Sequence, residues 1–235
     1  MESPHASSRI AKFIARASSY SRRQVEQLII DKKVTLNGNI VTTPVTFVTD
    51  TDTITVEGKP LHKTPVAQLW KFYKPAKIIT SKKDQKGRQT IYDVLPKKLQ
   101  YLTYVGRLDY MSEGLLLLTN DGQLAENLTH PKHALKRTYK VRVHGKLDEK
   151  KLKKISNPIT IDGVSYNKAT IKTLKTGNHN HWLQITLTEG KNREIRKRLA
   201  YIDLEVNRLI RTHFHTISLA DMKPGEVSEV KDFEL

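Results

Sequence analysis

The run GRLDYMSEGLLLLTNDG, Gly106 to Gly122, constrains this chain more than any other stretch. Tyr101 to Val105 leads into it with β-formers, and Leu115 to Thr119 leads out as an uninterrupted apolar segment of the kind buried on both faces of a sheet. Between the two lies a glycine-flanked turn with one carboxylate, Asp109. A turn held at strand ends is where a rigid scaffold can present a reactive acid. The alternative, in which Asp109 only closes the turn, leaves the leucines as core in either case.

Composition narrows the partners. The 235 residues carry 41 Lys and Arg against 24 Asp and Glu, a formal charge of +17, which suits a polyanion. No apolar run approaches the length of a membrane span, and the first residues form no signal sequence, so the chain is expected in the cytoplasm, without membrane contact. The absence of cysteine excludes disulfides, thiolate catalysis and cysteine-ligated zinc. His179 with His181, and His213 with His215, stand two apart, yet neither pair has a third ligand at a useful offset, so no metal is expected.

The chain divides near residue 60. Ile10, Phe13, Ile14 and Ala17 recur at helical spacing, and Ser21 to Gln24 has the form of a capping box before Val25, Leu28 and Ile29. Val34 and Leu36, then Asn37-Gly38, then Ile40 read as a hairpin on a turn of positive φ, with Ile54 to Val56 adding a strand. Lys59 to Gln68, with Pro60 and Pro65, reads as a linker, giving a module over 1–60, a linker over 61–68 and a larger domain over 69–235. Residues 1–63 hold 9 Lys and Arg against 6 Asp and Glu, so most of the excess charge lies in the larger part. There, strands are expected at 69–73, 101–105, 115–119, 138–143, 169–174, 182–188 and 206–211, with helices at 122–128, 148–155 and 193–201. No βαβ repeat emerges, so the fold class is α+β, a mixed, largely antiparallel sheet with flanking helices.

The Gly106–Gly122 run resembles the active-site motif of the bacterial pseudouridine synthases that modify ribosomal RNA: Gly-Arg-Leu-Asp, two variable positions, Thr or Ser, one more, then Gly and leucines, with Ser112 and Gly114 in the last fixed places. The stretch RIAKFIARASSYSRRQVEQLIIDKKVTLNG similarly resembles the alpha-L RNA-binding module. That likeness implies that Arg9, Lys12, Arg16, Arg22, Arg23, Lys32 and Lys33 track phosphates of structured RNA. For the larger part, it implies the pseudouridine-synthase fold, with an RNA-binding cleft across a long central sheet. Uridine becomes pseudouridine when uracil leaves its ribose, turns over and rejoins through carbon, so no cofactor is implied. Asp109 takes the catalytic place, as nucleophile or as base on the ribose.

A carboxylate in a water-poor cleft needs a cation nearby to stay ionised. LTEGKNREIRKRL, Leu187 to Leu199, resembles the family's third motif and puts Arg196 in that role, on a helix that Asn192 could cap and that also carries Arg193, Lys197 and Arg198 as phosphate-facing or solvated groups. LKRTYKVRV resembles the second motif, in which Tyr139 stacks beneath the target base, and VNRLIRTHFHTISL supplies Leu209 as an apolar wall. The family's members usually carry Ile-Gly or Tyr-Gly where this chain has Phe214-His215, which puts the loop shape there in question. Arg107 is implied to enter the RNA helix when the target base flips out. After the Tyr73–Pro75 YKP segment, Lys82, Lys83, Lys86 and Arg88 form a basic loop expected to clamp RNA.

Within the family, FYKPAKIITSKKDQKGRQTIYDVLP, KVRVHGKLDEKKL and the Glu194-containing third motif lean toward the branch that acts on 23S rRNA. Total length leans toward the branch that acts on 16S rRNA, which ranks second. A noncatalytic rRNA-binding or ribosome-assembly factor of the same fold is the rival from another class, weakened by the joint presence of Asp109, Tyr139 and Arg196. The expected partner is ribosomal RNA or an assembly intermediate, engaged by a monomer.

Overall fold

The computed structural model describes residues 8–18, 20–49, 51–61, 67–231 and 233, in two compact units, Met1–Ala67 and Gln68–Leu235. In the first unit, α1 (Ile10–Ala17) and α2 (Arg22–Ile30) pack through Ile10, Ile14, Val25 and Ile29, all buried. Ser21 caps α2 as its sequence suggests. The Ser21 Oγ accepts from the Gln24 amide at 3.3 Å, and the Gln24 side chain accepts from the Ser21 amide at 2.7 Å. A four-stranded sheet follows: β1 (Val34–Leu36), β2 (Asn39–Ile40), β3 (Ile54–Val56) and β4 (Lys59–Pro60), in the order β2-β1-β3-β4.

The β1–β2 turn puts Asn37 at φ 49° and Gly38 at φ 85°, the left-handed pair that such a hairpin requires. Glu57 and Gly58 repeat the device, so Lys59 and Pro60 pair with Val56 and Thr55 rather than starting a linker. Pro60 is tolerated because β4 is an edge strand, whose outer side needs no donor. The middle of the expected linker, residues 62–66, lies outside the described residues.

The second unit is built on a nine-stranded sheet. Its strands include β5 (Leu69–Lys74), β6 (Thr103–Val105), β7 (Ser112–Thr119), β8 (Arg137–His144), β9 (Thr170–Lys175), β10 (Asn180–Leu187), β11 (Glu205–Phe214) and β12 (Val227–Glu229). The main order is β9-β10-β8-β11-β7-β5-β12, with β6 pairing β7 and Ile217–Ser218 pairing β11. All these pairs are antiparallel except β7 with β11, so the sheet is mixed and largely antiparallel. Helices α3 (Gly122–Thr129), α4 (Glu149–Ser156) and α5 (Glu194–Ala200) flank it.

Every residue of β7 is buried, because leucines leave it alternately for two cores: Leu116 and Leu118 on one side, Leu115 and Leu117 on the other. The short helix Ile91–Val94, the hairpin 159–166 and strand β12 were not legible in the sequence. Each is too short for periodicity to mark it. Among the described residues no helix is long and apolar enough to cross a membrane.

Candidate active site

Near the start of β7 the chain approaches β11 so closely that only glycine fits. Gly114 has φ 102°, and a Cβ there would lie 2.3 Å from the Arg211 carbonyl oxygen and 2.7 Å from its amide nitrogen. This places Leu209 across from Ser112, directly behind the turn that carries Asp109. The turn is pinned from several sides. Thr80 Oγ1 donates to the Leu108 carbonyl at 2.9 Å, the Lys77 amide donates to Tyr110 O at 2.7 Å, and the Ser112 amide donates to Asp109 O at 3.0 Å.

Lys74, the last residue of β5, is 0% exposed, and its Nζ donates to the carbonyls of Ser112 (2.8 Å), Pro75 (3.0 Å) and Asp109 (3.2 Å). Burial pulls its pKa from 10.5 to about 8, although the negative charges of Asp109 and Glu113 oppose the shift. Sequence reading passed over Lys74. The available signal was a lysine ending a strand otherwise rich in apolar and aromatic residues, immediately before Pro75.

Asp109, Tyr139, Arg196 and Leu209, drawn from four separate elements, line one cleft of about 840 Å³. Tyr139 faces it from β8, between Ile185 of β10 and Arg211 of β11. Arg196 comes from α5; its Nη1 donates to Val206 O at 3.0 Å, and its buried Nε has no partner among the described residues. Burial and then the neighbouring Arg193 lower the Arg196 pKa, while the Asp109 charge raises it, so the carboxylate and the guanidinium feel each other without a direct ion pair among the described residues.

Of the residues expected to bind RNA, Arg107, Arg88 and Arg193 line the same cleft, whereas Lys82, Lys83 and Lys197 do not. Arg88 is already engaged: its Nε and Nη2 bond the Asp84 carboxylate at 3.0 and 2.8 Å, holding that carboxyl down at about 2. Its guanidinium also lies 6.0 Å from the exposed Tyr110 ring. Arg9, Lys12, Arg22 and Arg23 belong to the first unit, where Arg22 pairs with Glu26 at 3.4 Å and Lys33 with Glu57 at 3.2 Å.

Two expectations for the third motif are corrected. Asn192 does not cap α5; the cap position is Arg193, left-handed at φ 51° and without a side-chain cap bond. Arg198 is neither solvated nor phosphate-facing, being 1% exposed. Its guanidinium binds Glu194 at 3.0 Å, the Ile155 carbonyl at 2.5 Å and the Asn167 carbonyl. With 3.6 residues per turn, Arg196 and Arg198 leave a helix about 200° apart, so one faces the cleft and the other the core. At Phe214-His215 a tight turn forms with His215 at φ 52°, its amide donating to Lys136 O at 2.7 Å. A left-handed conformation is one that glycine adopts freely and histidine tolerates. Among the histidines, His181 is buried and its Nε2 bonds the Gly145 carbonyl at 3.0 Å.

A mixed sheet is thus crossed by a cleft in which Asp109, on a pinned turn, meets an arginine, a tyrosine and a leucine. Comparison with known proteins shows the family. A family model described as RNA pseudouridylate synthase matches residues 68–201, and an S4 domain model matches residues 8–54. The ribosomal large subunit pseudouridine synthase B of Bacillus subtilis (strain 168) is 36% identical over 230 residues, spanning 97% of this chain and 93% of that protein. An uncharacterized RNA pseudouridine synthase of Rickettsia bellii is 43% identical over 222 residues, 94% of this chain and 96% of its own. A crystal structure of pseudouridylate synthase superposes with a TM-score of 0.66 at 27% identity, covering 95% of this chain and 96% of that one. The chain belongs to the RNA pseudouridylate synthase family, with an S4 domain at its N-terminal side.

Proposed function

We propose that this chain converts a uridine of 23S ribosomal RNA to pseudouridine, with Asp109 as the reacting carboxylate. The observation that carries the assignment is the meeting in one cleft of Asp109, Tyr139, Arg196 and Leu209 around a backbone turn that the protein pins at four points. Asp109 acts at the ribose, either on the glycosidic carbon or by removing a proton. Arg196 supplies a positive charge beside that carboxylate as water is excluded. Tyr139 stacks against the uracil while it is detached and turned, and Leu209 closes the apolar side of the pocket. Arg107, exposed beside Asp109, fills the space left in the RNA helix when the base is drawn out.

The first unit, with Arg9, Lys12, Arg22 and Arg23, holds structured RNA, and Lys82, Lys83, Arg88, Arg193 and Lys197 track phosphates around the second. We assign the module to residues 1–60 and the catalytic domain to 69–235, acting as a cytoplasmic monomer on ribosomal RNA or an assembly intermediate. Identities of 35–36% with three proteins named ribosomal large subunit pseudouridine synthase B support the large-subunit target. Carbodiimide labelling with primer extension across 23S and 16S rRNA, in cells with and without the protein, tests it. A stop on 23S rRNA that vanishes with the protein is expected. A stop only on 16S rRNA would move the target, and no dependent stop would remove the activity.

A further inference from the structure

Arg137 on β8 and Arg211 on β11 lie against the same ring, with guanidinium carbons 4.9 and 5.5 Å from the Phe214 centroid. Both line the cleft, and both are buried, at 8% and 3% exposure. A β-bulge brings them together. Arg137 pairs with Phe214 and Thr138 with His213, but Tyr139 pairs with Arg211, leaving Thr212 as the extra residue. The extra residue breaks strict alternation between 211 and 214, and the Phe214 ring meets both guanidinium groups.

The protein uses little of either guanidinium. Among the described residues Arg137 donates from Nη1 alone, to Leu135 O at 3.0 Å and Thr188 O at 3.3 Å, and Arg211 from Nε alone, to Leu115 O at 2.6 Å. Arg211 Nη2 is buried without a hydrogen-bond partner among the described residues. Among the described residues no carboxylate pairs with either arginine: in the cleft, Asp84 is taken by Arg88, Glu189 by Lys191 and Glu194 by Arg198, and Asp109 forms an ion pair with neither Arg137 nor Arg211. Burial pulls the Arg137 pKa down, Tyr139 opposes the shift, and the Arg211 charge adds to it. Two desolvated cations on one ring without a counter-ion are destabilising as they stand, and an incoming anion would relieve them.

We propose that Arg137 and Arg211 form an anion subsite in the cleft wall that takes a phosphodiester group of the RNA strand flanking the uridine at Asp109. The assignment of this ligand rests on the RNA-modifying function proposed above. Arg211 is the cross-strand neighbour of Tyr139 and stands two residues after Leu209, so a phosphate here lies beside the base pocket. Planar guanidinium groups match phosphate oxygens in pairs, and stacking on Phe214 fixes them beforehand. A neutral base or sugar would not use two cations.

The test uses the full chain, a 23S rRNA transcript and the variants Arg137→Gln, Arg137→Lys and Arg211→Gln. In filter binding over a salt series, the slope of log affinity against log salt should become shallower by about 0.7 in each Gln variant and recover in Arg137→Lys. KM for the transcript should rise about tenfold in Arg137→Gln, more than kcat falls. Uridine 5′-monophosphate should bind the wild type more tightly than uridine does, and lose that advantage in Arg137→Gln. Arg211→Gln can unfold because it gives up the Leu115 bond, so folded Arg137→Gln decides. A wild-type slope and an undiminished nucleotide advantage in that variant would overturn the subsite. A wild type that binds the transcript yet forms no pseudouridine would defeat the functional proposal while the salt comparison still reads the subsite.

Discussion

Lys74 shows how a buried side chain can govern the placement of Asp109, the carboxylate proposed to react. Its ammonium bonds three carbonyls, two of them at the ends of the Asp109 turn, so its protonation state sets how firmly that turn is held. The unfolded chain holds this proton up to about pH 10.5 and the folded chain only to about pH 8. Between those values the unfolded state binds more protons, so the destabilising effect of Lys74 is fully present below pH 8 and fades as pH rises, by about 3 kcal/mol at most. Wild-type Tm should therefore rise relative to Lys74→Met as pH is raised through this window, as read by calorimetry. Activity should move the other way, because a neutral amine has two hydrogens for three carbonyls. Lys74→Met should lose about 100-fold in kcat with a small change in KM, the signature of a misplaced reacting group. At Asp109 itself, Asp109→Asn should abolish pseudouridine formation in single-turnover assays while RNA affinity stays within a few fold, since a carboxylate has the wrong sign for phosphate. Arg196→Ala should be nearly as damaging.

At the level of elements, the crossing of β7 and β11 makes the sharpest demand. Gly114→Ala would drive a methyl group into the Arg211 backbone at a φ that side chains avoid, and neither strand can yield without unpairing Leu209 from Ser112. A loss of about 3 kcal/mol or more is expected, visible as a large fall in the denaturant midpoint or as insoluble protein. The turn after β11 gives the opposite sign. His215 holds a left-handed conformation, so His215→Gly should stabilise by about 0.5–1 kcal/mol, a rise in Tm of about 1–4 °C. An unchanged or lower Tm would show that the imidazole contributes more than the backbone strain removes. Helix α5 divides its arginines by position: Arg198 bonds Glu194 within the helix and ties the helix to the carbonyls of Ile155 and Asn167, and in doing so fixes where Arg196 stands.

Across the whole molecule, charge and domain structure lead to one further expectation. Residues 64–235 hold 32 of the 41 Lys and Arg against 18 of the 24 Asp and Glu, and each unit has its own buried core. A chain lacking residues 1–67 should keep a folded sheet domain by circular dichroism and bind RNA more weakly. With about six phosphate contacts, the full chain should show a slope of log affinity against log salt near −4, and the truncated chain a shallower one. An unfolded truncation would mean that the units stabilise each other. A zero slope would place RNA away from the basic surface.

Much of this protein was readable in order of residues. Local signals identified α1 and α2, the Asn37-Gly38 hairpin and the leucine strand, because capping, positive-φ turns and apolar runs act over a few residues. Motif resemblance pointed to Asp109, Tyr139, Arg196 and Leu209, which the fold gathers into one cleft. Tertiary structure alone decided the rest. Lys74 became a staple because β5 ends beneath a turn some 35 positions later in the chain. Arg198 became core while Arg196 faced the cleft, since burial depends on what packs against each side of α5. Arg137 and Arg211 met over Phe214 through a single-residue bulge, and a shift of register between distant strands leaves no mark on the local pattern of either.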